Sequence, residues 1–362
     1  MTTTCPPQTT PPTGVEEAPA SGREPKGPGH SHADHGHADH GHGEHGRNRH
    51  NHNGHDQEHD HYVSPLLKFI NLMVVVVPFL GVIAAVIWTW GWGVNATALG
   101  ILAVMWFCTA IGITLGYHRL FTHRSFETNK FVRGMLGIFG SMAIEGPILF
   151  WVAIHRRHHQ HSDHAEDPHS PHLHGEGFKG LLKGLWHAHA GWMVAGRLPG
   201  GLMRYVGDLR KDKVTRFVSS TFWYWVALGF LVPTIAGGLL MMSWTGALMG
   251  FLWGGLVRLF LVHHITWSIN SVCHLWGYQS FPGDDESRNN PVFGILGLGE
   301  GWHNNHHAFP SSARHGLKWY EFDASYYMIR GLELVGLAWK VKTPSPEAMA
   351  AKLARAEREQ GH

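Results

Sequence analysis

The sequence predicts an all-α integral membrane protein with four transmembrane helices arranged as two hairpins. Two uncharged runs are the basis of this prediction: residues 69–117 contain no Asp, Glu, Lys or Arg over 49 residues, and residues 217–257 contain none over 41. A hydrocarbon core of about 30 Å needs about 20 apolar residues per helix, so each run is long enough for two spans and a tight turn. Averaged composition hides the spans, because a polar N-terminal segment offsets them in an overall hydrophobic content of 44%.

Each run divides into two spans at a short turn. The first run gives spans at Leu72–Trp90 and Ala96–Tyr117, with Gly91–Asn95 as the turn. Three tryptophans beside this turn are expected in the membrane interface: Trp88, Trp90 and Trp92. The second run continues past Arg258 and gives spans at Phe217–Gly238 and Thr245–Trp267, turning at Met241–Trp244.

Three segments follow from the distribution of polar residues. Residues 1–61 are rich in Gly, Asp, Asn, Pro and Thr and hold twelve of the 32 histidines, so they are predicted to be a disordered His-rich tail. No apolar segment near the start suggests a signal peptide. Residues 62–340 are predicted to form the membrane domain, and residues 341–362 a polar C-terminal helix or tail.

The positive charges predict the orientation in the membrane. Residues 118–216 carry fourteen Lys and Arg and the two turns carry none, which places both termini and the middle segment in the cytoplasm. The apolar stretch between His123 and His155 contains Arg133, Glu145 and Pro147, and it is expected to be an interfacial or re-entrant helix. A fifth span there would separate the histidine-rich motifs across the bilayer. We expect the protein to reside in a bacterial inner membrane.

Charge and cysteine content exclude several classes of protein. A net charge of +2 with no basic stripe makes nucleic acid an unsuitable partner. The three cysteines, Cys5, Cys108 and Cys273, are too few for a disulfide framework or a Cys-rich zinc module.

The histidines outside the tail occur at ligand-like spacings. HRLFTH provides His118 and His123 at the end of the second span. HRRHH and HNNHH each place three histidines at positions i, i+3 and i+4, which share one face of a helix. These two motifs contain His155, His158, His159, His303, His306 and His307. His274 is a ninth candidate, and Asn270 lies one helical turn before it. The five histidines between 161 and 174 are expected to be loop residues, whereas His263 and His264 are expected to end the fourth span.

Nine imidazoles predict a redox-active metal centre. Neutral nitrogen ligands suit iron, whereas magnesium and calcium prefer carboxylate oxygens. Eight or nine ligands exceed the coordination of one ion and imply two metals, and they do not fit a closed four-ligand zinc site. Two irons can supply the electrons that cleave O₂ and leave an oxidant for an unactivated C–H bond.

The motifs resemble those of the membrane-bound fatty acid desaturases, specifically the acyl-CoA or acyl-lipid delta-9 class. The resemblance covers residues 65–327 and rests on HRLFTH, HRRHH and GEGWHNNHHAFP in this order between apolar hairpins. Five flanking segments also resemble family motifs: GYHRLFTHRSF, SDHAEDPH, HAHAGW, TWSINSVCH and SSARHGLKWYEFD.

This resemblance implies a four-span fold whose cytoplasmic helical cap holds a diiron centre. It implies that all nine histidines are iron ligands, His274 included, and that Asn270 reaches an iron through water. It also implies a narrow, bent apolar tunnel for the acyl chain, lined by Trp151, Thr266 and Trp267. Two positions depart from the family pattern: Glu145 stands where many relatives carry Gln, and Ile154 replaces an Asp that the animal acyl-CoA enzymes use near the CoA headgroup.

The sequence therefore predicts O₂-dependent desaturation of a saturated acyl chain linked to CoA, a lipid or a carrier protein. Neither extension shows a cytochrome b5-like domain, so electrons are expected from a separate donor such as ferredoxin, cytochrome b5 or a reductase. Two alternatives stay open from the sequence: a diiron hydroxylase on the same scaffold, and a divalent-metal transporter with a His-rich tail. A transporter would need polar ligands near the bilayer midplane, and the first three predicted spans offer almost none.

Overall fold

A computed structural model describes residues 61–360 of the chain except Trp92 and Val94. The N-terminal segment predicted to be disordered lies outside the described residues up to position 60, as does Trp92 of the predicted interfacial belt. The segment boundaries at 61 and 340 stay predictions.

Within the described residues, four helices are long and apolar enough to cross a membrane, as predicted: α1 (Pro65–Thr89), α2 (Ala96–Thr122), α7 (Phe222–Leu240) and α8 (Trp244–Ser271). Side-chain caps fix where three of them begin. Ser64 Oγ accepts a hydrogen bond from the Leu67 amide at 3.3 Å, and Asn95 Oδ1 accepts one from Ala98 at 2.8 Å. Ser243 Oγ caps α8 in the same way.

The observed helices differ from the predicted spans at their ends. α1 begins seven residues before Leu72, because Ser64 caps the helix and Pro65 stands at its first position, ahead of the uncharged run. The third span begins at Phe222 and not at Phe217, because Thr221 leaves helical geometry and ends a separate helix, α6 (Lys213–Ser220). The fourth extends to Ser271, past the predicted end at Trp267.

Two long helices contain π-helical stretches. Residues Gly112–Thr122 of α2 and Gly250–Val257 of α8 have the wider hydrogen-bonding pattern of this helix type. In a π-helix the backbone bonds join residues five apart, so side chains five apart come onto nearly the same face.

The stretch predicted as one interfacial or re-entrant helix forms two helices, α3 (Lys130–Ser141) and α4 (Ile148–His161). The break follows from the backbone of the intervening turn. Ile144 and Gly146 adopt positive φ angles of 58° and 105°, and Pro147 precedes the first residue of α4. A helix cannot continue through two such conformations.

The remaining helices are short and lie in the segments between and after the spans. They are α5 (Gly177–Trp186), α9 (Pro291–Leu296), α10 (His303–Ala308), α11 (Ala324–Leu334) and α12 (Pro346–Gln360). α5 continues into a π-helical turn, His187–Gly191, and then a helical turn, Trp192–Val194. Two 3₁₀ turns, Leu202–Val206 and Leu209–Lys211, precede α6.

Four two-residue strands form two small antiparallel pairs. β1 (His61–Tyr62) pairs with β3 (Arg197–Leu198), and β2 (Glu127–Thr128) pairs with β4 (Ala338–Trp339).

Glycines allow close helix crossings around the central core. A β-carbon at Gly140 of α3 would overlap the ring of Tyr117, and one at Gly112 of α2 would overlap the α3 backbone. Tyr117 itself is fully buried and its hydroxyl lies 3.0 Å from Ser141 Oγ. This crossing fixes the position of the end of α2, where the first histidine motif lies.

Candidate metal and substrate site

The nine predicted histidines meet in two neighbouring clusters. Within each cluster the ring nitrogens that face one another lie within 4.8 Å. The first, called here the five-histidine cluster, contains His118, His123, His155, His159 and His306. The second, the four-histidine cluster, contains His158, His274, His303 and His307.

Local structure explains how each motif contributes. The π-helical end of α2 brings His118 and His123, five residues apart, to a ring separation of 4.8 Å. On α4, His155 and His159 lie one turn apart and join the five-histidine cluster, whereas His158 points to the other cluster. The motif on α10 is also divided: His303 and His307 belong to the four-histidine cluster, and His306 belongs to the five-histidine cluster. Both helices therefore border both clusters.

The imidazoles turn their Nε2 atoms toward the centre of each cluster. Nε2 of His306 lies 3.0 Å from Nε2 of His118 and 2.9 Å from that of His159. The corresponding distance between His303 and His274 is 3.1 Å. Three further buried Nε2 atoms, those of His123, His158 and His307, have no hydrogen-bond partner among residues 61–360 as described.

Four buried or half-buried carboxylates hold the outer nitrogens. Nδ1 of His118 lies 2.6 Å from Glu300, and Nδ1 of His158 lies 2.9 Å from Asp167. His274 and His307 pair in the same way with Asp163 at 2.8 Å and Asp285 at 3.2 Å. A carboxylate on Nδ1 fixes the tautomer so that Nε2 presents its lone pair to the cluster.

Burial and these pairs set the charge states. Burial lowers the pKa of His123, His155, His159 and His303 well below the usual value of 6.5, and it lowers that of His307 to about 4. Burial alone would raise the pKa of Asp163, but its hydrogen bond with His274 holds that pKa well below normal. Burial thus favours the neutral form of these five imidazoles, whereas the pair with Asp167 raises the pKa of His158.

Arg119 and His315 support the outer side of the five-histidine cluster. The fully buried Arg119 guanidinium donates to Glu300 Oε1 at 3.1 Å and pairs with Asp323 at 3.0 Å. His315 Nδ1 lies 3.3 Å from Glu300 Oε2. Sequence reasoning missed both roles, although each residue lies in a segment noted for its resemblance to the family.

Sequence reasoning also missed the roles of the four carboxylates. Asp163 and Asp167 lie in SDHAEDPH and Glu300 lies in GEGW. The histidine partner of Asp163 is 111 residues away in the sequence, and that of Glu300 is further still. His169, expected to be a loop residue, lies in a turn and is only 2% exposed. Its ring centroid is 4.4 Å from that of His158.

Two apolar cavities meet beside the clusters. The larger cavity has a volume of about 360 Å³ and is bordered by α1, by α8 and by the turn that precedes α4. The smaller, about 50 Å³, continues between α2, α8 and α9 and is lined by Trp106 and Ile113. The predicted substrate residues Trp151 and Thr266 line both cavities, whereas Trp267 lines the larger one.

The two cavities join at the histidine centre. Asn270 and His155 border both, and His118 and His303 border the smaller one. The Trp151 ring is stacked on the His155 ring with centroids 4.9 Å apart. Trp151 Nε1 donates a hydrogen bond of 3.0 Å to Glu145 Oε2, so the side chain of Glu145 also lies at this junction.

A third, polar cavity reaches the clusters from another direction. Its volume is about 250 Å³, and His159 and His307 line it together with Asp284 and Asp285. Lys352 and Ala356 of α12 also line this cavity. One wall of the histidine centre thus borders a polar space and another borders an apolar one.

A buried polyhistidine centre at the ends of membrane-length helices is consistent with a metal centre in an integral membrane protein. Comparison with known proteins gives the family: residues 95–336 match the model described as fatty acid desaturase, and the chain belongs to the fatty acid desaturase family. The protein is therefore an oxidoreductase enzyme of lipid metabolism.

Three relatives illustrate the range of activities within this similarity. The chain is 44% identical to the hex-5-enoyl-[acyl-carrier protein] acetylenase of Moorena producens, over 80% of this chain and 91% of that protein. It is 39% identical to the sn-1 stearoyl-lipid 9-desaturase of Synechocystis, over 70% and 75%. Identity to the icosanoyl-CoA 5-desaturase of Limnanthes douglasii is 37%, over 67% and 64%.

Proposed function

We propose that the protein removes two hydrogens from a saturated fatty acyl chain at the delta-9 position. In this reaction O₂ is reduced to water, and a separate donor protein such as ferredoxin, cytochrome b5 or a reductase supplies two electrons. The observation that supports it best is the meeting of an apolar cavity with two clusters of buried imidazoles at His155 and Asn270.

The residues present fit two iron ions. A metal bound at about 2.1 Å by nitrogens at right angles needs neighbouring nitrogens about 3.0 Å apart, and the Nε2 separations of 2.9–3.1 Å match that spacing. The inward nitrogens of His123, His158 and His307 have no other partner among the described residues. Four carboxylates behind the imidazoles balance the charge of two divalent ions.

In the proposed site the nine histidines hold the two irons, and Asn270 contributes through water. Bound iron would supply the activation of O₂ that C–H oxidation requires. The protein's own residues position the acyl chain: Trp151 and Thr266 border the junction of the two cavities, beside the centre. A chain bent at this junction presents one pair of carbons to the irons, which converts a strong oxidant into a position-specific one.

The proposal includes the predicted arrangement in the membrane. The four spans form two hairpins, a cytoplasmic helical cap carries the histidine centre, and both termini lie in the cytoplasm of a bacterium. Two features support it: fourteen Lys and Arg between residues 118 and 216, and the position of His118 and His274 at and just beyond the ends of α2 and α8. Ligands at helix ends also argue against transport through the bilayer midplane.

A second candidate is the conversion of a double bond into a triple bond. The 44% identity to an enzyme named as an acetylenase favours it, because removal of two more hydrogens needs the same site. Supplying the protein with labelled saturated and monounsaturated chains separates the two activities, since each yields a different product.

The experiment that tests the proposed function is lipid analysis of cells that produce His158→Ala and His161→Ala variants. His158 belongs to the four-histidine cluster, whereas His161 lies one turn further along α4 and outside both clusters. We expect the first variant to insert in the membrane and form no unsaturated product, and the second to retain the wild-type product. Normal product from the His158 variant would refute the proposal.

A further inference from the structure

An apolar groove opens on the side of the larger cavity, between the membrane-length helices. It has a volume of about 440 Å³ and is lined by residues of α1, α7 and α8. On α1 it follows Phe69 to Pro78, which is about 13 Å at 1.5 Å per residue. On α7 it extends from Trp223 to Phe230. The groove therefore runs along the spans at hydrocarbon depth and not only at their ends.

The groove and the larger cavity share part of their lining. Ile70 and Val74 of α1, Trp223 of α7 and Ile144 border both spaces. A continuous apolar surface thus leads from the faces of α1 and α7 to Trp151 and Asn270 at the histidine centre.

Ile144 marks the junction of the groove and the cavity. Its φ of 58° is a left-handed conformation that β-branched residues rarely adopt. Ile144 lies in the turn after α3, and this residue lines both spaces. Backbone strain of this kind is found where the surrounding structure fixes a side chain for function.

The depth of the groove in the membrane and its apolar lining indicate what kind of molecule can occupy it. A groove in the hydrocarbon layer is in contact with lipid tails, so a tail that moves into it leaves one apolar surrounding for another. Extraction of an acyl chain into water exposes each of its CH₂ groups to solvent, which is unfavourable, and lateral entry avoids that exposure.

We infer that a saturated acyl chain of a membrane lipid enters the catalytic cavity sideways from the bilayer, between α1 and α7. This inference rests on the proposed desaturase function and names the substrate class: an acyl lipid resident in the membrane. Trp223, 60% exposed, and Phe69, 58% exposed, border the opening.

The test narrows the groove with tryptophan and compares matched positions on the same helices. Val77→Trp and Val226→Trp place an indole in the groove. Val86→Trp and Val232→Trp are the controls, since these exposed valines lie on α1 and α7 but do not line it. All four full-length variants are reconstituted in vesicles of a phosphatidylcholine with isotopically labelled saturated chains, together with an electron donor.

We expect the groove variants to desaturate the bilayer lipid about tenfold more slowly or worse, with wild-type iron content. The control variants should match the wild type. Unchanged conversion in both groove variants would overturn the inference, as would a wild type that converts a soluble acyl carrier but not bilayer lipid.

A second measurement does not depend on turnover. A phosphatidylcholine with a diazirine near the end of one acyl chain is photolysed in vesicles holding the His158→Ala protein. We expect labelling of cavity residues such as Ile154 and Trp267, with loss of that labelling after Val226→Trp but not Val232→Trp. Labelling confined to the outer faces of the spans would refute lateral entry. Absent product from the wild type together with cavity labelling would refute only the proposed desaturase function.

Discussion

At the scale of single residues, the second nitrogen of the imidazole is as important as the one that faces the cluster. Carboxylates bound to Nδ1 of His118, His158, His274 and His307 fix which nitrogen can bind a metal. They also keep the histidines oriented when they are neutral. The centre is consequently preorganised by groups that do not themselves face it.

Adjacent aspartates provide a matched test of this role. Asp285 pairs with His307 Nδ1 at 3.2 Å, whereas Asp284 is exposed. We expect Asp285→Asn to weaken metal binding by about 10- to 100-fold, because the amide no longer fixes the histidine as a carboxylate does. Asp284→Asn should bind as the wild type does. Metal titration of both purified variants is the measurement, and equal affinities would contradict the role assigned to Asp285.

The buried carboxyl of Glu145 should make the stability of the folded protein depend on pH. Burial raises its pKa to about 7, although hydrogen bonds from Trp151 and Thr266 partly oppose the shift. The folded protein therefore keeps a proton that the unfolded chain releases above about 4.5, and stability is lost as the pH rises from about 4.5 to 7. We expect Glu145→Gln to unfold at a higher temperature than the wild type at pH 8.

The expected difference in the free energy of unfolding between Glu145→Gln and the wild type at pH 8 is about 3 kcal/mol, because the pKa of the carboxyl rises from 4.5 to about 7 on folding. The difference should shrink as the pH falls and disappear below about pH 4.5. Thermal unfolding of both proteins across this pH range measures it. A difference that does not change with pH would show that the carboxyl is ionised throughout.

At the scale of elements, two features position the ligands: the π-helical end of α2 and the glycine contacts between α2 and α3. The first aligns His118 with His123. The second sets the distance between helices, because Gly140 lies against the ring of Tyr117, the residue before His118. The position of the first histidine motif thus depends on the absence of a single β-carbon.

Two glycines on α3 allow this contact to be tested. We expect Gly140→Ala to destabilise the protein by about 1–3 kcal/mol, because the added methyl overlaps Tyr117. Gly134→Ala on the same helix should be neutral or slightly stabilising, since the new β-carbon would meet only Val214 Cγ1 at an ordinary 3.6 Å. Unfolding temperatures of the two variants are compared. Equal changes in the unfolding temperature of the two variants would contradict the role assigned to the contact between Gly140 and Tyr117.

At the scale of the whole molecule, the sequence predicted what depends on local pattern. The uncharged runs predicted the four membrane-length helices, and the spacing of HRRHH and HNNHH predicted three imidazoles on each helix face. The division of the nine histidines into clusters of five and four could not be predicted from the sequence, because it depends on how α4 and α10 lie between the clusters. The turn at Ile144 was also missed, since its apolar flanks resemble one continuous helix.

Metal should stabilise the folded protein as a whole. Burial holds the pKa values of His123, His155 and His159 below 6.5, so the unfolded chain binds more protons and stability is lost as the pH falls through 6.5. A metal at about 1,000 times its dissociation constant adds about 4 kcal/mol. We expect a chelator or acidification to lower the unfolding temperature, and ferrous iron at neutral pH to restore it. An unfolding temperature that does not respond to chelation would contradict a metal-bound native state.

The polar cavity beside His159 and His307 gives the histidine centre a second kind of boundary. In the proposed reaction the hydrocarbon arrives through apolar space, while the water formed from O₂ leaves into an aqueous phase on the other side. The enzyme would then work as a phase-boundary catalyst, whose reactant and by-product never share a path. Detergent molecules that fill the apolar side should accordingly compete with the acyl chain, whereas small polar solutes in the polar cavity should not.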